Sequence, residues 1–194
     1  MPFFPARDTA IGSVLTLLAF AVLWIITYSA NTLLDPLFFK QVGVSWLFIP
    51  AGIRLLAVIV GRWQGALGIM LGTLATNLYL FSDPYFIYGA ALLSGLGPLL
   101  VLYLLELRPG FRDNLVFLSI PNLIALCMMF AAINVALTQV FFLAIGITDP
   151  LAFAGAATAM FVGDFSGSVL VMVLVFPVAR KFGLLKHPPE PESD

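Results

Sequence analysis

Ser45-Trp46-Leu47-Phe48-Ile49-Pro50-Ala51-Gly52-Ile53-Arg54-Leu55-Leu56 makes two conflicting demands on its surroundings. Its side chains are apolar enough to lie in a bilayer, yet it carries a proline, a glycine and a full positive charge. In a helix running from Ser45, Pro50 leaves the carbonyl of Trp46 without its usual partner. Broken backbone at membrane depth is tolerated only where protein or a watered cavity covers it. A guanidinium there must face the bundle interior and find an acceptor. The stretch therefore reads as the wall of a site inside a membrane bundle.

The rest of the chain agrees with a membrane setting. Of 194 residues, 61% are hydrophobic and only 10% charged, and mean hydropathy is +1.07. Soluble domains average about 25% charged residues. A net charge of −1 offers no electrostatic footprint for nucleic acid. The single cysteine, Cys127, excludes an internal disulfide and a thiol-cluster metal site. The one histidine, His187, falls in a Pro-rich tail, so no histidine ligand or Ser-His dyad is expected within the membrane. No Walker-type phosphate loop occurs, and Gly95-Leu96-Gly97-Pro98 is not a dinucleotide fingerprint. Asp164 lacks a second carboxylate at its level for acid–base work. The expectation is a non-catalytic protein without cofactor or metal.

A crossing helix needs roughly 20 apolar residues, and six candidates follow in order. The first is Ala10 to Ala30, too long for a signal core and with bulky Tyr28 where a cleavage site wants a small residue. A connection with Asp35-Pro36 and Lys40 leads to the second, Ser45 to Val60. Gly61-Arg62-Trp63 is a tight turn into the third, Gln64 to Phe81. Asp83-Pro84 opens the fourth, Tyr85 to Leu105. The fifth segment, Leu115 to Ile145, is too long for one straight crossing. The sixth is Leu151 to Ala179. The fold class is all-α: one six-span domain over 10–181, a short head 1–9 and a polar tail 182–194. With both ends on one side, that side holds Arg7, Arg62, Arg108, Arg112, Arg180, Lys181 and Lys186, against Lys40 alone on the other. This bias places both termini in the cytoplasm, with Asp83 and Asp149 outside. Glu106, Arg108 and Arg112 read as a solvated cytoplasmic cluster.

Gly155, Ala159, Gly163 and Gly167 repeat every four residues, a small-residue stripe for close helix approach. Gly65, Gly68 and Gly72 repeat the device. At 1.5 Å per residue, Arg54 lies roughly 14 Å and Asp164 roughly 20 Å from the outer surface. The two form a structural bridge, or one or both bind a polar ligand, or Arg54 snorkels to the inner face. Asn77, Asn134 and Gln139 fall in the outer half, as helix glue or as the polar lining of an outward-opening cavity. Trp46 is an interfacial anchor or a cavity wall, and Trp24 and Trp63 are inner-interface anchors or core. Pro50, Gly52, Gly163 and Gly167 shape the helices around the site.

Trp46 to Gly52, then Gly61-Arg62-Trp63-Gln64-Gly65-Ala66-Leu67-Gly68 and Asn77, resemble the Trp-Pro-Gly span, Gly-Arg turn and Gly-rich span of the first class of MASE-type membrane-associated sensor domains. Phe161-Val162-Gly163-Asp164-Phe165-Ser166-Gly167 is similar to the Trp-x-Gly-Asp-x-x-Gly pattern of that family's last span. The likeness covers the second, third and sixth spans. It departs at Arg54, where an apolar residue is expected, and at Phe161, which replaces the Trp. The resemblance implies a bacterial inner-membrane input domain. With no output domain in the chain, a signal is expected to pass from a small-molecule ligand or the membrane lipid to a separate partner. Six Gly-rich spans also look like the substrate-binding subunit of energy-coupling-factor vitamin importers, where Gly12 and Thr16 are the nearest equivalent of the docking stripe. A structural membrane subunit, its glycine stripes facing lipid, is the third reading.

Overall fold

The computed structural model describes residues 10–41, 44–107 and 120–181. The head, the tail with His187, and Arg108 and Arg112 of the expected cluster lie outside these residues. The described chain is all-α apart from one small hairpin: α1 (Ala10–Thr32), α2 (Asp35–Phe38), β1 (Phe39–Gln41), β2 (Val44–Ser45), α3 (Pro50–Leu80), α4 (Pro84–Glu106), α5 (Ile120–Ala144) and α6 (Phe153–Lys181). Strands β1 and β2 pair antiparallel, Phe39 opposite Ser45. Five helices are long and apolar enough to cross a membrane, and the protein is a multi-pass membrane protein.

The 31-residue α3 is not one straight rod. Arg62 leaves helical geometry at φ 51°, ψ −128°. A Cβ added to Gly65 would collide with the carbonyl of Ala57, and Ile53, Ala57 and Ile69 share one core cluster. Residues eight and sixteen apart would lie about 12 and 24 Å apart along a straight helix. The two arms of α3 therefore fold back side by side about the Gly61-Arg62-Trp63 turn. Glu106 at the end of α4 pairs with Arg62 at 2.5 Å.

Ser45 to Ile49 differs from the sequence expectation. These residues are not helical, and Pro50 is the first residue of α3 rather than a break within it. The missing N–H of proline costs nothing at that position. The non-helical segment runs along α6: Phe48 N–H donates to the Gly163 carbonyl (3.2 Å), and Asn31 Oδ1 of α1 accepts from Ile49 N–H (3.0 Å). Side chains at Gly163 and Gly167 would strike the carbonyls of Ser45 and Phe48. The stripe on α6 thus admits non-helical backbone, not a second helix. Gly52 then packs on Val171 and Gly167. Gly155 has nothing within 4 Å.

The remaining glycines lock neighbours in sequence. Gly68 and Gly72 of α3 admit α1 at Leu17, Phe20, Ala21 and Trp24, and Gly95 of α4 admits Met70 and Ala66. The start of α4 follows its sequence signal: Asp83 accepts from Tyr85 N–H and Phe86 N–H, with Pro84 next. A core of Leu55, Val101, Leu126, Phe130 and Met172 fills one half of the bundle. The other half holds a cavity.

Candidate functional site

The cavity begins with Arg54, one turn into the first arm of α3. Gly52 faces α6, and Arg54, two residues on, is turned about 200° away from it. The guanidinium therefore points towards α1. Its carbon sits 4.8 Å from the centre of the Trp24 ring and 5.2 Å from that of Phe48. Trp24 stacks on Tyr28 (5.8 Å) and meets Phe48 edge-on (6.2 Å). Its indole N–H donates to Thr76 Oγ1 at 3.5 Å. Arg54 is only 9% exposed, its Nε has no hydrogen-bond partner, and no carboxylate lies within ion-pair distance of it among the described residues.

The space in front of Arg54 has a volume of about 340 Å³, within the range typical of small-molecule sites. The second arm of α3 contributes Thr73 and Asn77, one turn apart on one face. Thr73 Oγ1 is also buried without a partner, and the Asn77 amide donates to the Ile87 carbonyl (3.3 Å). Ser94 and Thr138 add hydroxyls, while Phe81, Phe86, Phe142 and Met160 make most of the opposite wall apolar. Arg54 is the one charged residue among the described residues that line it.

The sequence-expected site is only partly assembled. Arg54 and Asn77 meet at the cavity. Asp164 does not bridge to Arg54. It is 1% exposed and accepts from the Asn134 amide at 2.5 Å, and the cause is the turn of Arg54 away from α6. Asn134 is therefore a tie between α5 and α6 rather than lining. Gln139 is also withdrawn from the cavity: its amide donates to Met160 S (3.4 Å), and its oxygen accepts from Thr148 (3.2 Å), which accepts from Gln41 (3.1 Å). That relay fastens the β-hairpin to α5. Trp46 is 41% exposed and outside the cavity; Phe48 holds the wall position. Trp24, read from sequence as an anchor or core, is 1% exposed and stacks on the ion. Pro50, Gly52, Gly163 and Gly167 do shape the backbone beside the site.

Trp24, Asn31, Phe48 and Thr73 are the residues that sequence reasoning missed. One signal was available: Trp24, Tyr28 and Asn31 fall at i, i+4 and i+7, a polar and aromatic face on a helix whose other side is aliphatic. Geometrically, the cavity offers a buried cation, hydroxyl and amide groups, and a broad apolar wall. No protein-family model, curated protein or solved structure matches the chain.

Proposed function

We propose that the protein is a non-catalytic ligand-binding module of the bacterial cytoplasmic membrane, both termini inside, which takes a small molecule into the bundle and passes the event to a separate partner. The observation that carries this reading is Arg54: a buried cation at a cavity of about 340 Å³, with no carboxylate among the described residues within ion-pair distance of its guanidinium. A buried ion is costly unless paired. Stacking on Trp24 and Phe48 offsets part of the cost, about 2 kcal/mol for a desolvated pair, and leaves the edge of the guanidinium available. The positive end of the α3 dipole lies one turn away and favours an anion at the same place.

The route for a signal is the non-helical segment. Phe48 stacks on Arg54 and is bonded through its own N–H to α6, so a ligand that reorders Phe48 acts on the Gly163 contact. Other readings find less support. Gly12 and Thr16 are buried, with Thr16 packed towards Gly61, which leaves the importer reading without its docking stripe. Gly163 and Gly167 are filled from within, unlike the outward stripes of a structural subunit.

Native mass spectrometry of the gently solubilised protein tests the proposal. The expected result is a small molecule bound to the wild type and lost from Arg54→Met, a variant that keeps the side-chain bulk. A clean unliganded mass for both, with ligand-free preparations failing to bind any component of a cell extract, would overturn it.

A further inference from the structure

Beside the cavity lies a second recess of about 340 Å³, between α1 and the second arm of α3. Its walls include Ile25, Ala75, Thr76 and Tyr79, and it shares Tyr28, Thr32 and Leu80 with the cavity. Tyr79 is 89% exposed and Leu80 48%. This part of both helices lies within membrane-spanning segments. The recess therefore faces lipid on one side, and the Arg54 cavity on the other, with three shared side chains between. A water-soluble ligand has no use for such a path, whereas a molecule dissolved in the outer part of the bilayer meets it directly.

Building on the cavity as the binding site, we propose that its occupant is a single-chain anionic amphiphile taken from the membrane: it enters between α1 and α3, and Arg54 holds its head. The charge follows from a cation at the cavity with no acidic residue among the described lining, Asp164 lying beyond ion-pair distance outside it. The apolar body follows from Phe81, Phe86, Phe142 and Met160, which line the same cavity as Arg54. A carboxylate and a phosphate monoester share the required chemistry: oxygens in a plane or cone that accept from a fixed guanidinium.

The test uses the full chain in phosphatidylcholine nanodiscs, with Trp46→Phe and Trp63→Phe leaving Trp24 as the sole indole. The probe is 2-bromoundecanoate, whose bromine sits on the carbon next to the carboxylate and quenches an indole it touches, as Trp24 would be with the head at Arg54. Saturable quenching is expected, weakened about tenfold or more in Arg54→Met, the loss that follows from removing a charged hydrogen-bond partner. The neutral 2-bromoundecanol should bind weakly to both, and 2-bromopropionate, an anion with no chain, should bind weakly as well. Ala75→Phe, which fills the recess without lining the cavity, should slow association of the long probe several-fold. Equal binding of acid and alcohol, no effect of Arg54→Met, or no effect of Ala75→Phe on the association rate would overturn the proposal. Equal binding of the short and long acids would overturn the amphiphile while keeping the anion site. A bound molecule in the mass spectrum with no quenching by the long acid would reject this ligand class and leave the binding function standing; failure of both would reject both.

Discussion

At Arg54, the immediate surroundings are rings rather than carboxylates, and the consequence is measurable. A charge held by a good ion pair is strongly destabilising to remove, because its partner is stranded. Arg54 has no carboxylate within ion-pair distance among the described residues, and Asp164 acts on it only from farther off, so Arg54→Met in the unliganded protein should cost little stability. Asn134→Ala should behave oppositely. It strands the buried Asp164 carboxylate and should cost about 1–3 kcal/mol. Reversible unfolding in mixed micelles, followed by circular dichroism, compares the two; a loss for Arg54→Met as large as for Asn134→Ala would make the guanidinium a structural tie. Sequence reading gave the two ions similar depths and left open whether they pair, because depth along a span is legible and rotation about it is not. Rotation depends on where the helix starts. Here it starts at Pro50, and the two-residue step from Gly52 to Arg54 decides which neighbour the cation meets. Trp24 and Asn31 were hidden for the same reason: a face of α1 acquires meaning only when its neighbour is known.

The elements themselves were more legible. Pro84 after Asp83, the Gly61-Arg62-Trp63 turn and the long apolar runs all act locally, and each sits where its chemistry requires. The glycine stripe on α6 was found correctly and given the wrong partner, since spacing reveals a close approach but not whether the visitor is helix or non-helical backbone. Its use is uneven, which gives a paired prediction. Gly167→Ala would drive a methyl group into the Phe48 carbonyl and should cost about 1–3 kcal/mol as overpacking. Gly155→Ala meets nothing within 4 Å and should gain up to about 1 kcal/mol from helix propensity. Heat-induced loss of monodisperse protein in detergent ranks the two, and equal effects would mean that the segment before Pro50 does not lie on α6. The α3 turn gives a second test. Arg62 holds a positive φ, which costs a non-glycine residue about 1 kcal/mol or more. Its half-exposed ion pair with Glu106 contributes at most about 1 kcal/mol. Arg62→Gly relieves one as it loses the other and should be near neutral; Arg62→Ala keeps the backbone cost and should be the less stable of the two by about 1 kcal/mol.

For the whole molecule, the fold-back of α3 sets the topology. The first arm of α3, Pro50 to Gly61, is about 18 Å long at 1.5 Å per residue, too short to cross alone. The non-helical Ser45 to Ile49 adds the length the first arm lacks, so a count of helices sees one where the chain folds back on itself. A fold-back within α3 lets five apolar helices supply the six crossings expected from the sequence. It is also why the non-helical segment needs Gly163 and Gly167 at its side: its backbone groups lie at bilayer depth and must be covered by protein. Counting crossings has a direct consequence. If α3 turns back at Arg62, the loop before it and the loop after it share one side of the membrane; a straight α3 would put them on opposite sides. Lys40 and Ser82 are exposed positions in those two loops, and Cys127 is fully buried. In a Cys127→Ala background, Lys40→Cys and Ser82→Cys should therefore both react with a membrane-impermeant maleimide applied to intact cells, and Trp63→Cys should react only after the membrane is opened. Labelling of Lys40→Cys without Ser82→Cys would show a straight α3 and would separate Arg54 from Thr73 and Asn77, removing the cavity they share.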